Sequence, residues 1–492
     1  MSLAAPALDD VFRRNAPLIG GEWLAATSGG VQPHIDPSTG EAQAEVRVGG
    51  GREIELAVES ALLAQAAWAA LTPDRRRDAL IRLAELVEGD RLGFGRIGAL
   101  ESGMPIAGSG GVDLALAWIR HYAGWADKVE GSTFEPFAAR GWGVARPEPY
   151  GVVGAIIPWN APLIAISMKV VPALAAGNAV VLKPPTLTPF AALRFGELAL
   201  EAGLPPGLLN VIPGDAPAGE ALVRHPAVGK VSFTGGGGVA RQVVAASAET
   251  LKPLALELGG KSANLIFADA DLDAAIPMAV AMGCVQLSGQ GCVLPTRLLV
   301  QDAVYDEVVE RATAIAAGFR IGPAIEPETR MGPVISATAC ARILSVIERA
   351  KVEGQGRLVH GGRRLGGPLA GGYFIEPTIF ADVSPAASLA REEVFGPVLS
   401  ILRFSETEEA VRIANDSPYG LGAYLHTRDL DRALAVAGRM QAGYVSVNGF
   451  AGMSPNAPFG GWKQSGYGRE GGRAGLEEFL QTRSIWVRQQ TA

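Results

Sequence analysis

Between residues 151 and 258, short apolar strands alternate with helical stretches, a pattern few topologies accommodate. Residues 151–157 read as a strand and 163–176 as a helix. Strands over 179–183, 208–212, 230–233 and 254–258 follow, with helices over 189–202, 217–224 and 239–248 between them. Strands that are apolar throughout and alternate with helices indicate a doubly wound parallel sheet. A chain of 492 residues is too long for one core, so two or three domains are expected. A second α/β unit begins near Ser262, with strands over 263–267 and 296–300 and helices over 271–287 and 305–319. Ahead of both, 55–103 reads as helical, with Leu80, Leu83, Leu86 and Val87 on one face. The stretch 131–150, rich in glycine, proline and aromatics, reads as a strand pair or a protruding arm, and 361–372 as a surface loop or hairpin.

Parallel sheets of this kind bind ligands beyond the carboxyl ends of their strands. Polar residues collect at those ends. Pro158-Trp159-Asn160 follows the first strand, Lys183 ends the second, Thr234-Gly235-Gly236-Gly237-Gly238 follows the fourth, and Glu257 lies near the end of the fifth. Each has a plain reading and a functional one. A carboxylate in an apolar strand is costly to bury. Glu257 is therefore either an ion-pair member, with Lys261 as the nearest candidate, or a base whose pKa burial has raised. The glycine run could cradle a phosphate at a helix start, although it is out of frame for a Gly-x-Gly-x-x-Gly fingerprint. A lysine at a strand end is usually solvated. Cys292 follows Ser288-Gly289-Gln290-Gly291, where glycines let the backbone approach a ligand, yet a lone cysteine is more often a small buried hydrophobe. Cys284 and Cys340 lack that context and read as packing residues.

Composition narrows the function class. The formal net charge of -7, without a long block of like charge, argues against a nucleic-acid surface. Three cysteines form no disulfide framework, and five scattered histidines offer no metal-ligand spacing. Residues 1–10 lack the basic and apolar regions of a signal peptide. The most apolar stretch, 161–182, is interrupted by Lys169, Pro172, Gly177 and Asn178, which a membrane span does not tolerate. A soluble cytoplasmic protein with no membrane, metal or nucleic-acid partner is expected.

Seven segments together resemble the aldehyde dehydrogenase superfamily, in its order and across nearly the whole chain. They are Pro158-Trp159-Asn160, Lys183-Pro184, Phe233-Thr234-Gly235, Glu257-Leu258-Gly259-Gly260-Lys261, Gly289-Gln290-Gly291-Cys292, Glu393-Val394-Phe395-Gly396-Pro397, and Pro458-Phe459-Gly460-Gly461-Trp462-Lys463-Gln464-Ser465-Gly466. The resemblance implies a Rossmann-like cofactor domain over 1–126 and 147–258, and a second doubly wound catalytic domain over 259–460. It also implies a small β bridging element over 127–146 and 461–492 that pairs subunits into dimers or tetramers. By the same resemblance, the Cys292 thiolate attacks an aldehyde and gives an oxyanion held by the Asn160 amide and the Cys292 backbone N–H. Hydride passes to NAD or NADP, and Glu257 activates the water that hydrolyses the thioester. Lys169 and Glu470 align with a pair that relays the proton away from Glu257. The cofactor is expected to contact Ile156, Trp159, Lys183, Thr186, Phe233, Thr234, Gly235, Gly236, Val239, Leu258, Glu393 and Phe395.

The departures from the family pattern carry their own expectations. Thr186 stands where NAD-preferring members commonly hold a glutamate that would repel a 2′-phosphate, so NADP is expected to be tolerated. Gly236 replaces a serine that usually helps bind the pyrophosphate. Ala161 and Met168 occupy positions often aromatic in small-aldehyde enzymes. With Gly291, Val293, Met453 and Phe459 they suggest a roomy apolar tunnel with no charged lining residue, suited to medium or bulky hydrophobic aldehydes, aromatic or terpenoid, rather than to betaine aldehyde or a semialdehyde. Two other functions stay open: a CoA-acylating enzyme, whose members usually lack the glutamate found here at 257, and a catalytically silent scaffold, which would tend to lose the nucleophile or base.

Overall fold

The computed structural model describes residues 11–137, 140–450 and 453–489. The signal-peptide reading rested on 1–10, which lie outside the described residues.

Strands Val152–Ile156, Ala179–Lys183 and Leu254–Glu257 are buried along their whole length, as expected where helices cover both faces of a parallel sheet. They belong to an eight-stranded sheet. Its parallel centre runs Leu209–Val211, Ala179–Lys183, Val152–Ile156, Val228–Thr234, Leu254–Glu257. The chain winds outward from Val152–Ile156 on one side, then returns to start Val228–Thr234 on the other. The carboxyl ends of those two strands therefore form the topological switch point, where a ligand crevice opens. Helix Pro162–Ala175 opens on a proline, which suits the first turn, and buries nearly every side chain, Lys169 included. The predicted helical stretch before the sheet resolves into Gly51–Ala69, Pro73–Gly89 and Arg91–Ser102, and Leu80, Leu83 and Val87 are buried.

The second sheet has seven strands, in the order Arg357–His360, Thr378–Ala381, Val398–Phe404, Arg297–Gln301, Ala263–Ile266, Gly422–His426, Tyr444–Val447. The pairings are parallel except at Arg357–His360. The single helix expected over 271–287 ends sooner. Leu272–Val280 is α-helical, Ala281–Val285 widens into a π-turn, and Gln286–Gly289 closes as a tight turn in which Leu287 and Ser288 take left-handed backbone angles, φ 51° and 53°.

The stretch 131–150 is a strand pair. Ser132–Phe134 and Gly141–Pro149 join Leu480–Arg488 in an antiparallel three-stranded sheet. The described part of the segment 461–492 divides among three sheets, with Trp462–Lys463 pairing with Tyr419–Gly420. Gly466–Tyr467 pairs with Leu254–Glu257 and becomes the eighth strand of the first sheet, while Leu480–Arg488 serves the small one. That pairing brings the C-terminal segment against the strand that ends in Glu257.

Candidate active site

Glu257 is the last residue of its strand, level with Thr234 on one side and Gly466 on the other. Its carboxyl is buried, and neither oxygen has a hydrogen-bond partner among the described residues. Burial, reinforced by the nearby Glu470, holds its pKa well above the ordinary carboxylate range, against weaker opposing pulls from Lys169 and Arg469. Lys261 is not its partner. That ammonium is itself buried and unpartnered, and burial pushes its pKa down to about 7. Of the two readings the local sequence allowed, an ion pair with Lys261 is absent from the structure.

The buried ion pair stands beside Glu257. Lys169 donates to Glu470 Oε1 at 2.6 Å and to Ser232 Oγ at 2.9 Å. Glu470 is held in place by backbone bonds exchanged with Phe459, at 2.5 and 2.7 Å. Removing one partner of such a pair strands a buried charge, at a cost of roughly 3–5 kcal/mol.

Cys292 is held by contacts between distant segments. Gly260 lies so close that a Cβ there would sit 2.4 Å from the Cys292 carbonyl oxygen. Gly289, at φ 73°, would place a Cβ 2.0 Å from the carbonyl oxygen of Gly396. Glycine is thus required at both positions, and three of the quoted motifs meet there. Asn160 Nδ2 donates to the Gln290 carbonyl at 2.8 Å, which orients the amide and leaves its second N–H free of that bond. The Gln290 side chain in turn accepts from Ile335 N at 3.0 Å. Tyr424 braces the far side by donating to the Val293 carbonyl at 3.0 Å. The Cys292 thiol is pushed up to about 12, first by burial and then by Glu393 and Glu257. Cys284 and Cys340 are buried, as packing residues should be.

Cys292, Glu257, Asn160 and Glu470 line one cavity of about 540 Å³. Ala161, Met168, Gly291, Val293, Met453 and Phe459 are all on its wall. Sequence reasoning missed Met104, Leu114, Ile164 and Phe450, which carry no local signal because their helices and loops reach the cavity only after folding. It also expected no charged lining residue. Arg330 lines the cavity, along with the two carboxyl groups at its chemical end. Arg330 lies in a loop near Met104–Pro105, brought there by the Ile106–Ala324 backbone bond, a contact invisible in sequence.

The other expected ligand groups lie along the carboxyl ends of the same sheet. Lys183 is buried rather than solvated, donates to the Gly214 carbonyl, and has its pKa lowered to about 8 by burial, partly offset by Asp215. Thr186 Oγ1 donates to Asp215 Oδ1 at 3.0 Å. Phe233 and Thr234 end the strand Val228–Thr234, and Gly235 N donates to the Glu257 carbonyl at 3.1 Å. Gly236 caps the helix Gly237–Ser247 with open space where a side chain would be, and Val239 is exposed in that helix's first turn. Ile156 and Leu258 are buried beneath. Glu393 Oε1 accepts from Gly260 N at 2.9 Å, and burial raises its pKa. Phe395, at φ 49°, sets its ring edge-on to Trp159 at 5.3 Å. An open helix N-terminus, a desolvated ammonium and a carboxyl group near the thiol fit an elongated dinucleotide.

Comparison with known proteins places this architecture. The sequence model of the Aldehyde dehydrogenase family matches residues 23–485. Retinal dehydrogenase 2 of Gallus gallus is 40% identical over 493 residues, covering 99% of this chain and 94% of that protein. The mitochondrial aldehyde dehydrogenase of Homo sapiens is 42% identical over 484 residues, covering 96% and 92%. Among solved structures, the NAD+ complex of an aldehyde dehydrogenase from Bacillus cereus superposes with a TM-score of 0.95 at 36% identity, covering 99% of both chains.

Proposed function

The chain belongs to the aldehyde dehydrogenase family, and from that premise we propose that Cys292, Asn160 and Glu257 oxidise an aldehyde to a carboxylic acid through an acyl-enzyme. The observation that carries this reading is their presence on one cavity wall, with Glu257 buried and unpartnered.

Cys292 releases its thiol proton to solvent; Sγ, as thiolate, adds to the aldehyde carbon, and the carbonyl oxygen takes up the negative charge. The free N–H of Asn160 and the Cys292 backbone N–H stabilise that oxygen, donors already set before the charge develops. A bound nicotinamide dinucleotide supplies the hydride acceptor for this step. Loss of hydride leaves a thioester on Cys292. Glu257 then takes a proton from a water molecule, the water oxygen adds to the thioester carbon, and the acid leaves as the sulfur regains its electron pair. A carboxyl group with a raised pKa is well suited to accept that proton near neutral pH. The Lys169–Glu470 pair, beside Glu257, then passes the proton on. Lys183 and Glu393 would hold the two ribose ends of the dinucleotide and the helix start at Gly236 its pyrophosphate; Thr186 itself adds no charge against a 2′-phosphate beside the Asp215 carboxylate it donates to, so NADP is tolerated beside NAD.

The substrate is a medium or bulky hydrophobic aldehyde, aromatic or terpenoid, which the largely apolar walls and the volume of about 540 Å³ support. The protein works as a cytoplasmic homo-oligomer, dimer or tetramer, with small molecules as its other partners. The test is a panel of aldehydes assayed with NAD and with NADP, with and without CoA. Benzaldehyde-type and terpenoid substrates should exceed acetaldehyde in kcat/KM, and CoA should not accelerate turnover. Preference for acetaldehyde, acceleration by CoA, or full activity in Cys292→Ala would each overturn the corresponding part, and strict rejection of NADP would remove the tolerance read from Thr186.

A further inference from the structure

We infer that Arg330 recognises an anionic group at the tail of the substrate, so that the favoured aldehydes are elongated, apolar in the middle and carboxylate-bearing at the far end. This inference rests on the hydrophobic-aldehyde reading above for the middle of the tunnel, and Arg330 on its wall reverses the expectation that a semialdehyde is disfavoured.

The polar groups of the cavity fall into two sets. Around the nucleophile stand Asn160, Thr234, Glu257 and Glu470. The second set is Gln286, Thr329 and Arg330, of which Gln286 and Arg330 are exposed and so mark the end open to water. The hydroxyl of Thr329 is already committed to the Pro323 carbonyl at 2.8 Å. The Arg330 guanidinium has no hydrogen bond, ion pair or ring contact among the described residues. The acidic residues of its own loop do not reach it, since Glu326 and Glu328 both pair with Arg320. The Arg330 backbone is nonetheless anchored. Its N–H donates to the Arg320 carbonyl at 2.9 Å, and the next residue, Met331, is fully buried. An unneutralised cation is thus held at the open end of an apolar tunnel.

The opposite end has the reverse character. Glu257 and Glu470 are carboxyl groups in a poorly solvated setting; of the cations near them, Lys169 is already paired with Glu470, and Arg469 donates to the Gly461 and Gly468 carbonyls. An anionic group would be desolvated beside Cys292, between two buried carboxyl groups, but attracted and still hydrated beside Arg330. This asymmetry orients an aldehyde acid with its carbonyl inward and its carboxylate outward, and it rejects short aldehyde acids whose two ends cannot separate.

The experiment compares 9-oxononanoate with nonanal, with NAD as cofactor, in the wild-type protein, Arg330→Gln and Arg330→Lys. The wild type should favour 9-oxononanoate by about fivefold in kcat/KM, the upper range for an exposed ion pair. The preference should fall as ionic strength rises, a readout that needs no substitution. In Arg330→Gln the ratio should approach one through a higher KM for 9-oxononanoate, and Arg330→Lys should keep most of it. Equal kcat/KM in the wild type, a salt-independent ratio, or a preference that survives in Arg330→Gln would overturn the inference. Turnover of nonanal with no Arg330-dependent preference would sink this inference alone, whereas turnover of neither aldehyde would sink the hydrophobic-aldehyde reading with it.

Discussion

Glu257 ends a strand whose other residues are apolar, and the fold surrounds it without giving its carboxyl oxygens a partner. A group left in that state costs stability, and in a cleft it marks a site where chemistry uses it. Its raised pKa sets the sign of a pH effect. The base form appears only as pH rises above the ordinary carboxylate range, so thioester hydrolysis should increase with pH through an acid limb displaced upward. Glu257→Gln should slow steady-state turnover by roughly 10²–10⁴-fold. It should leave the first turnover visible as a burst of reduced cofactor, with the acyl group retained on Cys292. Stopped-flow kinetics and intact-protein mass measurement check this, and loss of the burst together with turnover would place Glu257 before the thioester. At this scale the candidate residues were legible because their types are unusual where they occur. Arg330 was not, because an arginine in a polar loop stands out only when its acidic neighbours prove to be occupied elsewhere.

Strands apolar on both faces can be read from a chain with little ambiguity, and the five parallel strands of the first sheet lie within a residue or two of their expected limits. Turns and caps are harder, because they depend on what other elements bring. Helix Phe190–Glu201 has no side-chain cap of its own. Glu101, on helix Arg91–Ser102, accepts its first N–H groups instead, from Phe190 at 2.8 Å and Ala191 at 3.4 Å. Burial pushes the Glu101 carboxyl up to about 8. In the unfolded chain it titrates at about 4.3. Between those values the folded state keeps a proton that the unfolded state has lost, so this contribution is greatest at low pH and declines as pH rises towards 8. Glu101→Gln cannot ionise and still accepts, so its melting temperature should fall less than that of the wild type between pH 5 and pH 8. Parallel slopes in differential scanning fluorimetry would show that Glu101 does not titrate in that window.

On the scale of the whole molecule, the small sheet has a long edge strand, Leu480–Arg488, and a short one, Ser132–Phe134, both exposed. Strand Leu480–Arg488 is almost wholly exposed, with Ile485, Trp486 and Val487 among its solvent-facing residues. Open apolar edges invite pairing with another chain. A second copy of this chain is the proposed occupant, so light scattering should return a dimer or tetramer, and removal of residues 480–492 should lower the mass towards that of a monomer. A monomeric full-length protein would contradict the assignment.

The sequence by itself determined the layered α/β architecture, the order of the motifs and the identity of the reactive groups, because apolar periodicity and residue chemistry are local properties. Only the tertiary structure decided which groups meet. It set Gly260 against the Cys292 carbonyl, left Glu257 and Lys261 unbonded to each other, paired Lys169 with Glu470, and left Arg330 without an acid among the described residues. Lys169 and Glu470 are separated by 301 residues along the chain, and the Asn160–Gln290 bond spans 130. Contacts over such separations follow from the winding of two sheets, and the burial that sets each pKa comes from those contacts.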